Sequence, residues 1–322
     1  MSGPLVSVVI VSWNRRDRLR AALRSVFAQD YSPLEVIVVD GGSCDASAEM
    51  VRCEFPAVSL LALRENVGPC AGRNRALESA KGEFIFQIDS DAAVAPASAL
   101  RAMVDRFGRE RDLGVIFPRI EDAAGRAYRP GYGSSHIDDE FYTWRFHGCA
   151  AMIRREAIRR AGRYMPEEFY RAAEENDLAV RMLDAGCNIL YMPSVVARHE
   201  PSPPRDEAEI AYLAARNSLR VAWKFLPVPR AALLTLWRPA HFLARRLARG
   251  GLAALPRFVK ILAAQFDAVR RRAPVSRQTV RLIDALTLKP AMTLAEMRRL
   301  RAAPPRTSLT RLVQKRLGRA SL

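Results

Sequence analysis

The sequence predicts an α/β fold with a mostly parallel central sheet flanked by helices. Short apolar segments alternate with longer segments in which apolar residues recur at helical spacing. This alternation is typical of βαβ units, in which a helix joins two parallel strands. The predicted strands are also nearly continuous apolar runs, as expected where both faces of a sheet are covered.

The elements can be placed in chain order. The apolar runs predict strands over residues 5–11, 35–39, 58–63, 84–88, 115–117 and 188–192. The helical spacing predicts helices over 15–27, 46–53, 71–80, 100–107 and 174–185, and a strand that runs into a helix over 146–156. Asn14 is predicted to be the N-cap of the first helix. Residues 121–140 are rich in Gly, Asp and Ser and are predicted to form a mobile loop.

The cysteines predict a reducing compartment. There are five, an odd number, and none forms a Cys-x-x-Cys pair, which argues against a disulfide framework and against a zinc site. No signal peptide is visible, and no apolar run approaches the ~20 residues of a spanning helix. These features predict a cytoplasmic location.

The positive charge is concentrated at the C-terminal end. Residues 238–322 hold 20 basic and only three acidic residues, which accounts for the whole formal net charge of +17. Residues 231–270 alternate apolar clusters with arginine and predict short amphipathic helices suited to an anionic membrane surface. The alternative is a helical appendage that packs on the rest of the chain or forms a dimer contact. No nucleic-acid recognition motif accompanies the charge, and residues 303–322 are predicted to be disordered.

Acidic side chains mark the end of a predicted buried strand. Phe84-Ile-Phe-Gln-Ile runs directly into Asp89-Ser90-Asp91. Desolvating two carboxylates is costly unless a cation receives them, and Mg²⁺ or Mn²⁺ on a diphosphate is suited to that position. Trp13, Asn14 and Asp40 also fall at the ends of predicted parallel strands, where α/β sheets bind ligands. No Gly-x-Gly-x-x-Gly follows the first strand, so a Rossmann dinucleotide site is not predicted.

Several motifs in this order resemble family 2 glycosyltransferases with the GT-A fold, of the bacterial rhamnosyltransferase-like, surface-polysaccharide type. The motifs are Ser12-Trp13-Asn14, Val38-Val39-Asp40-Gly-Gly-Ser-Cys-Asp45, Asn66-x-Gly68, Ala71-Gly-Arg73-Asn74, Asp89-Ser-Asp91, Gly148 before Arg154-Arg155-Glu156, Glu174-Glu175-Asn-Asp177-Leu-x-x-Arg181, His199, and Tyr212 to Pro227 with Arg216-Asn217. The resemblance covers residues 5–227. It predicts a catalytic domain over 1–227 and a basic amphipathic helical region over 228–322.

The resemblance implies a nucleotide-diphospho-sugar donor and assigns residues to it. Its expected donor-binding set is Val11, Trp13, Asn14, Asp40, Arg73, Asp89 and Ser90. Asp89, Asp91 and His199 are expected to hold Mg²⁺ or Mn²⁺. For Trp13, a core position is the alternative; for Asp40, a helix cap; for Arg73, a solvated helix face. His147 is a weaker candidate for the border of the acceptor site.

The resemblance also implies inversion with one general base. Glu175 is the expected base and Glu174 the fallback, because the family often has Glu-Asp where this chain has Glu-Glu. Asp177 is expected to support them or to cap the helix. The Gln-x-x-Arg-Trp signature of processive synthases is absent, which favours transfer of single sugars to a glycan or lipid-linked acceptor.

Two other functions are open at this point. A nucleotidyltransferase that makes sugar nucleotides would use a similar sheet, but it would need a Gly-rich basic loop after the first strand. Ser12-Trp13-Asn14-Arg15-Arg16 fits that loop poorly. A non-catalytic, membrane-associated scaffold would not need acidic residues at 89, 91 and 175.

Overall fold

A single mixed sheet lies at the centre of the computed structural model, which describes residues 3–128, 136–200, 207–247, 254–289 and 291–303. The strands in this part of the chain are β1 (Val6–Ser12), β2 (Leu34–Asp40), β3 (Ser59–Ala62), β4 (Phe84–Ile88), β5 (Ala92–Ala95), β6 (Leu113–Glu121), β7 (Phe141–Thr143), β8 (Ala150–Arg154) and β9 (Asn188–His199). Their order is β3-β2-β1-β4-β8-β6-β9-β5, and β7 pairs with β9.

Helices cover the sheet and continue beyond it. In the described ranges they are α1 (Arg16–Phe27), α2 (Ser47–Glu54), α3 (Gly68–Ser79), α4 (Ala99–Gly108), α5 (Arg155–Arg160), α6 (Glu174–Asp184), α7 (Glu207–Phe225), α8 (Val228–Leu247), α9 (Ala254–Arg270), α10 (Arg277–Leu288) and α11 (Leu294–Ala302). The apolar strands and the inner helix faces form one large buried core.

The first half of the sheet is parallel, as predicted. β1 pairs in parallel with β2 and β4, and β2 pairs in parallel with β3. The register sets Ser12 opposite Asp40, so the carboxyl ends of these strands meet at one edge. This edge carries the predicted site.

The second half of the sheet is mixed, so the prediction of a mostly parallel sheet holds for β1 to β4 and for the pair β6–β9 but not for the other pairs. β8 is antiparallel to both β4 and β6, and β9 is parallel to β6 but antiparallel to β5 and β7. The apolar pattern of a buried strand is the same in either direction, which is why strand direction was not predictable here. As a consequence, the start of β8 lies beside the end of β4.

Several element boundaries differ from the prediction. α3 begins at Gly68, three residues earlier than predicted, because proline is tolerated in the first helical turn and Pro69 lies there. β9 continues to His199, and β5 and β7 were not predicted. The prediction that Asn14 caps α1 is wrong: Arg15 holds the N-cap position, and Asn14 has a left-handed φ of 52°.

The C-terminal helices pack against the sheet domain. Tyr142 of β7 and Met292, which precedes α11, form an antiparallel bridge, with a 2.8 Å hydrogen bond from the Tyr142 amide to the Met292 carbonyl. Arg301 of α11 donates to the Cys187 carbonyl at 2.9 Å. The predicted boundary at residue 227 falls between α7 and α8. Within the loop predicted over 121–140, residues 129–135 lie outside the described residues, as do 304–322 of the segment predicted to be disordered.

Candidate active site

Asp89, Asp91 and His199 meet at the edge of the sheet. Asp89 follows β4 directly, while His199 ends β9 and lies opposite Ala92 of β5. One oxygen of the buried Asp91 lies 3.2 Å from His199 Nε2, and the other accepts a 2.7 Å ion-pair hydrogen bond from Arg15. The three predicted metal ligands therefore lie together, although more than 100 residues separate Asp91 from His199.

A fourth side chain joins this group. Ligand atoms of Asp89, Cys149 and His199 all lie within 4.8 Å of one another. Cys149 immediately precedes β8, and its carbonyl accepts a 2.7 Å hydrogen bond from the Asp89 amide. Oxygen, nitrogen and sulfur donors thus converge from three strand ends, and the carboxylates and imidazole suit a divalent cation.

Arg73 connects the metal-binding edge to the predicted base. It is only 5% exposed, so its alternative placement on a solvated helix face is wrong. Its guanidinium donates to Asp89 at 2.8 Å and to the Gly148 carbonyl at 2.9 Å, and it lies 3.4 Å from Glu174 Oε1. The two carboxylates raise the pKa of Arg73 above its usual value against the opposing effect of burial. Arg73 therefore fixes Asp89 and Glu174 relative to each other.

Glu174 and Glu175 begin α6 in different environments. Glu174 is buried beside Arg73, and its Oε2 has no hydrogen-bond partner. Glu175 lies over the α-carbon of Gly148, the residue that precedes Cys149 in the chain. Burial, and then the charge of Glu174, raise the pKa of Glu175 to about 8, and burial also raises the pKa of Glu174. A carboxylate with a raised pKa beside a metal-binding group is suited to act as a general base.

A strained loop positions the two glutamates. Tyr170, Ala172 and Ala173, just before α6, have φ values of 62°, 69° and 61°. Such left-handed conformations cost of the order of 1–3 kcal/mol each and persist only when their surroundings hold them. The buried Asn217 amide of α7 provides this hold, because it donates to the carbonyls of Phe169, Arg171 and Ala172 at 3.2, 2.9 and 2.7 Å.

Asp177 has a structural position. Its buried carboxylate accepts from Arg181 at 2.6 Å and from Lys224 at 2.7 Å, and these cations lower its pKa against the effect of burial. Ala173 is the N-cap residue of α6, so the prediction that Asp177 caps the helix is wrong. Asp177 instead joins α6 to α7.

The loops after β1 and β2 are tied together beside this edge. Both oxygens of the buried Asp40 accept hydrogen bonds from Ser43, and the hydroxyl of Ser43 accepts one from the Asn14 amide at 2.8 Å. Asn14 Oδ1 in turn accepts from the Cys44 amide at 2.8 Å. Asp40 thus stabilises its own loop and does not cap a helix. Its contact with the donor base stays a prediction.

The remaining predicted donor-binding residues differ in exposure. Trp13 is 51% exposed, so the alternative of a core position is wrong, and its ring is available at the end of β1. Ser90 is buried between the two aspartates. Val11 packs against α3, where a Cβ on Gly72 would lie 2.7 Å from Val11 Cγ1. His147, the candidate for the acceptor border, is partly buried, with its ring centroid 6.4 Å from that of Phe117.

Sequence reasoning missed Arg15, Cys149 and the role of Asn217. Arg15 lay inside a quoted motif, but nothing in the sequence places its side chain on Asp91. Cys149 would have been found if β8 had been predicted antiparallel to β4, because the residue before such a strand lies at the same edge as Asp89. Asn217 belongs to a motif matched by resemblance, and only the structure shows which carbonyls it holds.

Comparison with known proteins shows a family match over the first half of the chain. Residues 7–162 match the family described as "Glycosyl transferase family 2". The succinoglycan biosynthesis protein ExoO of Rhizobium meliloti is 38% identical over 104 residues, which is 32% of this chain and 30% of that protein. The first three curated relatives are matched over only 30–50% of their own lengths.

Solved structures share the fold. The mannosyltransferase PcManGT of Pyrobaculum calidifontis, solved with GDP-Man and Mn²⁺, superposes with a TM-score of 0.56 at 22% identity over 90% of this chain and 88% of that one. TarS 1–349 of S. aureus, solved with UDP-GlcNAc, gives 0.58 at 19% identity over 94% and 88%. Residues 7–162, just under half of the chain, therefore match glycosyl transferase family 2, and the chain has the GT-A fold.

Proposed function

We propose that this chain is an inverting, metal-dependent glycosyltransferase that transfers one sugar at a time in cell-surface polysaccharide biosynthesis. The donor would be a nucleotide-diphospho-sugar, and the acceptor a hydroxyl of a glycan or lipid-linked molecule. The observation that carries this proposal is the position of Glu175 over Gly148, beside the cluster of Asp89, Cys149 and His199. The family match over residues 7–162 favours glycosyl transfer over nucleotidyl transfer or a non-catalytic scaffold.

The residues present fit a divalent cation. Asp91 and His199 lie 3.2 Å apart, and Asp89 lies within 4.8 Å of His199. These side chains would hold Mg²⁺ or Mn²⁺ together with diphosphate oxygens. When bound, such an ion neutralises the charge that develops on the leaving diphosphate. Two solved proteins of similar fold contain Mn²⁺, which supports this assignment.

Side chains of the protein would bind the nucleoside and accept the proton of the acceptor hydroxyl. Trp13, Asn14 and Asp40 border the place where the nucleoside would bind, with Val11 and Ser90 shaping the strand ends behind it. Arg73 holds Asp89 and Glu174 in fixed positions. Glu175 would take the proton from the acceptor hydroxyl as its oxygen attacks the anomeric carbon. A single displacement of this kind inverts the anomeric configuration and needs no second carboxylate as nucleophile.

Donor binding can be tested by thermal unfolding. We expect UDP, dTDP or GDP to raise the unfolding midpoint in the presence of Mn²⁺ and much less in its absence, because ligand at 100 times Kd stabilises by about 2.7 kcal/mol. Asp91→Asn is expected to remove the part of the shift that depends on Mn²⁺. No shift with any of these nucleotides would contradict the proposal and favour a scaffold.

Catalysis is tested separately from binding. A panel of nucleotide sugars, with donor hydrolysis as the readout, would identify the sugar without a known acceptor. Glu175→Gln is expected to abolish turnover while nucleotide binding persists, and Glu174→Gln is the matched control that decides between the two carboxylates. Wild-type turnover in Glu175→Gln would refute the role of this residue. The anomeric configuration of the product, read by NMR, tests inversion.

We further propose that the C-terminal region holds the enzyme at the inner face of the cell membrane. Among the described residues, no helix combines the length and apolar character needed to cross a bilayer. α8 instead exposes Leu233, Leu236 and Trp237, which are 66%, 75% and 60% exposed at i, i+3 and i+4. α9 exposes Val259 and Phe266, at 62% and 75%, near exposed basic side chains. An apolar face with cationic surroundings suits an anionic interface.

A further inference from the structure

The cluster beside Glu175 contains a thiol that the proposed reaction does not use. We propose that Asp89, Cys149 and His199 form a three-ligand site for a thiophilic divalent cation of the Zn²⁺ class. The ligand atoms of these side chains all lie within 4.8 Å of one another. The site would bind such a cation without any nucleotide.

The sheet holds the three residues in place. Asp89 and Cys149 face each other across the antiparallel pair β4–β8, where Ile88 lies opposite Ala150 and the Asp89 amide donates to the Cys149 carbonyl at 2.7 Å. His199 is fixed by the pairing of β9 with β5. The donors therefore come from three different strand ends, and their backbone positions are set before any ion binds.

The donor set is that of an open zinc site. Zinc accepts cysteine sulfur at about 2.3 Å, histidine nitrogen at about 2.0–2.1 Å and carboxylate oxygen at about 2.0–2.2 Å, often with three protein ligands and one open position. In that geometry the ligand atoms lie roughly 3.3–3.6 Å apart. The present separations are at most 4.8 Å and so exceed these values by at most about 1.5 Å, a difference that side-chain movement alone would close.

The Cys149 thiol determines which class of cation the site prefers. Magnesium and manganese prefer oxygen ligands, whereas thiolate ligands favour zinc and other thiophilic ions. The ion proposed for the donor would need diphosphate oxygens to complete its coordination. A thiophilic ion would exchange the Cys149 thiol proton for a metal–sulfur bond, and the proton would be released to solvent. Such an ion would bind Asp89 and His199 and so compete with binding of the donor and its cation. This competition rests on the proposed function, whereas the cation site itself does not.

Cadmium is the direct probe of this site, because its bond to a thiolate gives an ultraviolet charge-transfer band. The full chain, without nucleotide, is titrated with Cd²⁺. We expect one cadmium and one thiolate per chain, and Zn²⁺ is expected to displace the cadmium and abolish the band. Cys149→Ser should remove the band and weaken Cd²⁺ binding by more than the 10–100-fold that loss of an outer-shell partner costs.

The other cysteines provide the control. Cys44 and Cys53 are exposed, so Cys44→Ser/Cys53→Ser removes the accessible thiols outside the cluster. This variant is expected to keep the band. Absence of the band in the wild-type chain, or its persistence in Cys149→Ser and loss in the double variant, would overturn the proposal. Thermal unfolding of each variant shows that it is folded, and the readout does not depend on any nucleotide or sugar.

Discussion

The carboxylate of Glu175 lies over Gly148, so closely that a Cβ built on Gly148 would be 1.8 Å from Glu175 Oε1. No residue other than glycine fits there unless the glutamate moves. The Gly148 carbonyl is fixed in turn, because it accepts hydrogen bonds from Arg73 and Gln87, both at 2.9 Å. The proposed base can therefore hold this position only because residue 148, in the loop before β8, is a glycine and has no side chain.

Gly148→Ala is expected to displace Glu175 and lower kcat by about 10²-fold or more, the usual contribution of a general base. Nucleotide binding, measured by thermal shift, should change little, because the substitution keeps the Gly148 carbonyl that accepts from Arg73. Gly108→Ala is the matched control, since a Cβ there meets nothing within 4 Å. Equal turnover in the two variants would show that the contact with Gly148 does not position the base.

The pH dependence of kcat/KM is expected to show a limb at about pH 8. The base must be ionised to accept a proton, and burial together with Glu174 raises the pKa of Glu175 to about 8. The rate should therefore fall about tenfold per pH unit below this value. In Glu174→Gln one cause of the raised pKa is gone, so the limb should move to lower pH. A limb that stays in place would argue against coupling of the two carboxylates.

Arg73→Met is expected to destabilise the protein by about 3–5 kcal/mol, the usual cost of removing one partner of a buried ion pair. The variant leaves the carboxylates of Asp89 and Glu174 without their shared cation. Because Arg73 lowers the pKa of Glu175, the pH limb should also move upward. Urea unfolding measures the stability. Arg75→Met, at an exposed position on the same helix, should stay within about 0.5 kcal/mol of the wild type.

Asn217→Asp is expected to release the loop before α6. The variant keeps the size of the side chain but replaces its donating amide by a carboxylate that faces three carbonyls. We expect kcat to fall while the KM for the donor is retained, and the pH limb to move to lower pH as Glu175 becomes more exposed. If kcat fell only in proportion to the fraction of folded protein, and the pH limb of kcat/KM did not move, the role of Asn217 would be purely structural.

Binding to vesicles tests the proposed membrane face. The full chain should co-sediment with vesicles that contain anionic phospholipid and much less with neutral ones, and salt should weaken the binding. Leu236→Asp/Phe266→Asp is expected to reduce binding more than tenfold, because burying each apolar side chain contributes about 1.5–3 kcal/mol. Leu288→Asp is the control, since Leu288 is 69% exposed on α10, outside this face. Equal binding of both variants would contradict the proposal.

The sequence was informative where local pattern decides structure. The apolar runs of β1, β2 and β4 are buried on both faces, so their positions and parallel pairing could be predicted. The same reasoning placed Asp40 and Asp89 at one edge of the sheet. His199 and Glu175 came from the resemblance to a family and were confirmed as neighbours of this edge only by the structure.

The rest depends on information that local patterns lack. β5 and β7 have only four and three residues, too few for a periodic signal. The direction of β8 is set by tertiary packing, and with it the approach of Cys149 to Asp89. Arg73 lies on a helix of weak amphipathic pattern, so its burial between two carboxylates could not be predicted from spacing.

The bridge between Tyr142 and Met292 has a consequence for how such proteins can diversify. Because α11 attaches to the same sheet that carries the reaction centre and Thr279 of α10 donates to Asp184 of α6, the C-terminal end is not a module that recombination could exchange freely. A transplanted end would have to reproduce the partners of β7 and of Asn188, to which Arg301 donates at 3.1 Å. We therefore expect the cationic C-terminal end and the residues of the reaction centre to be inherited together.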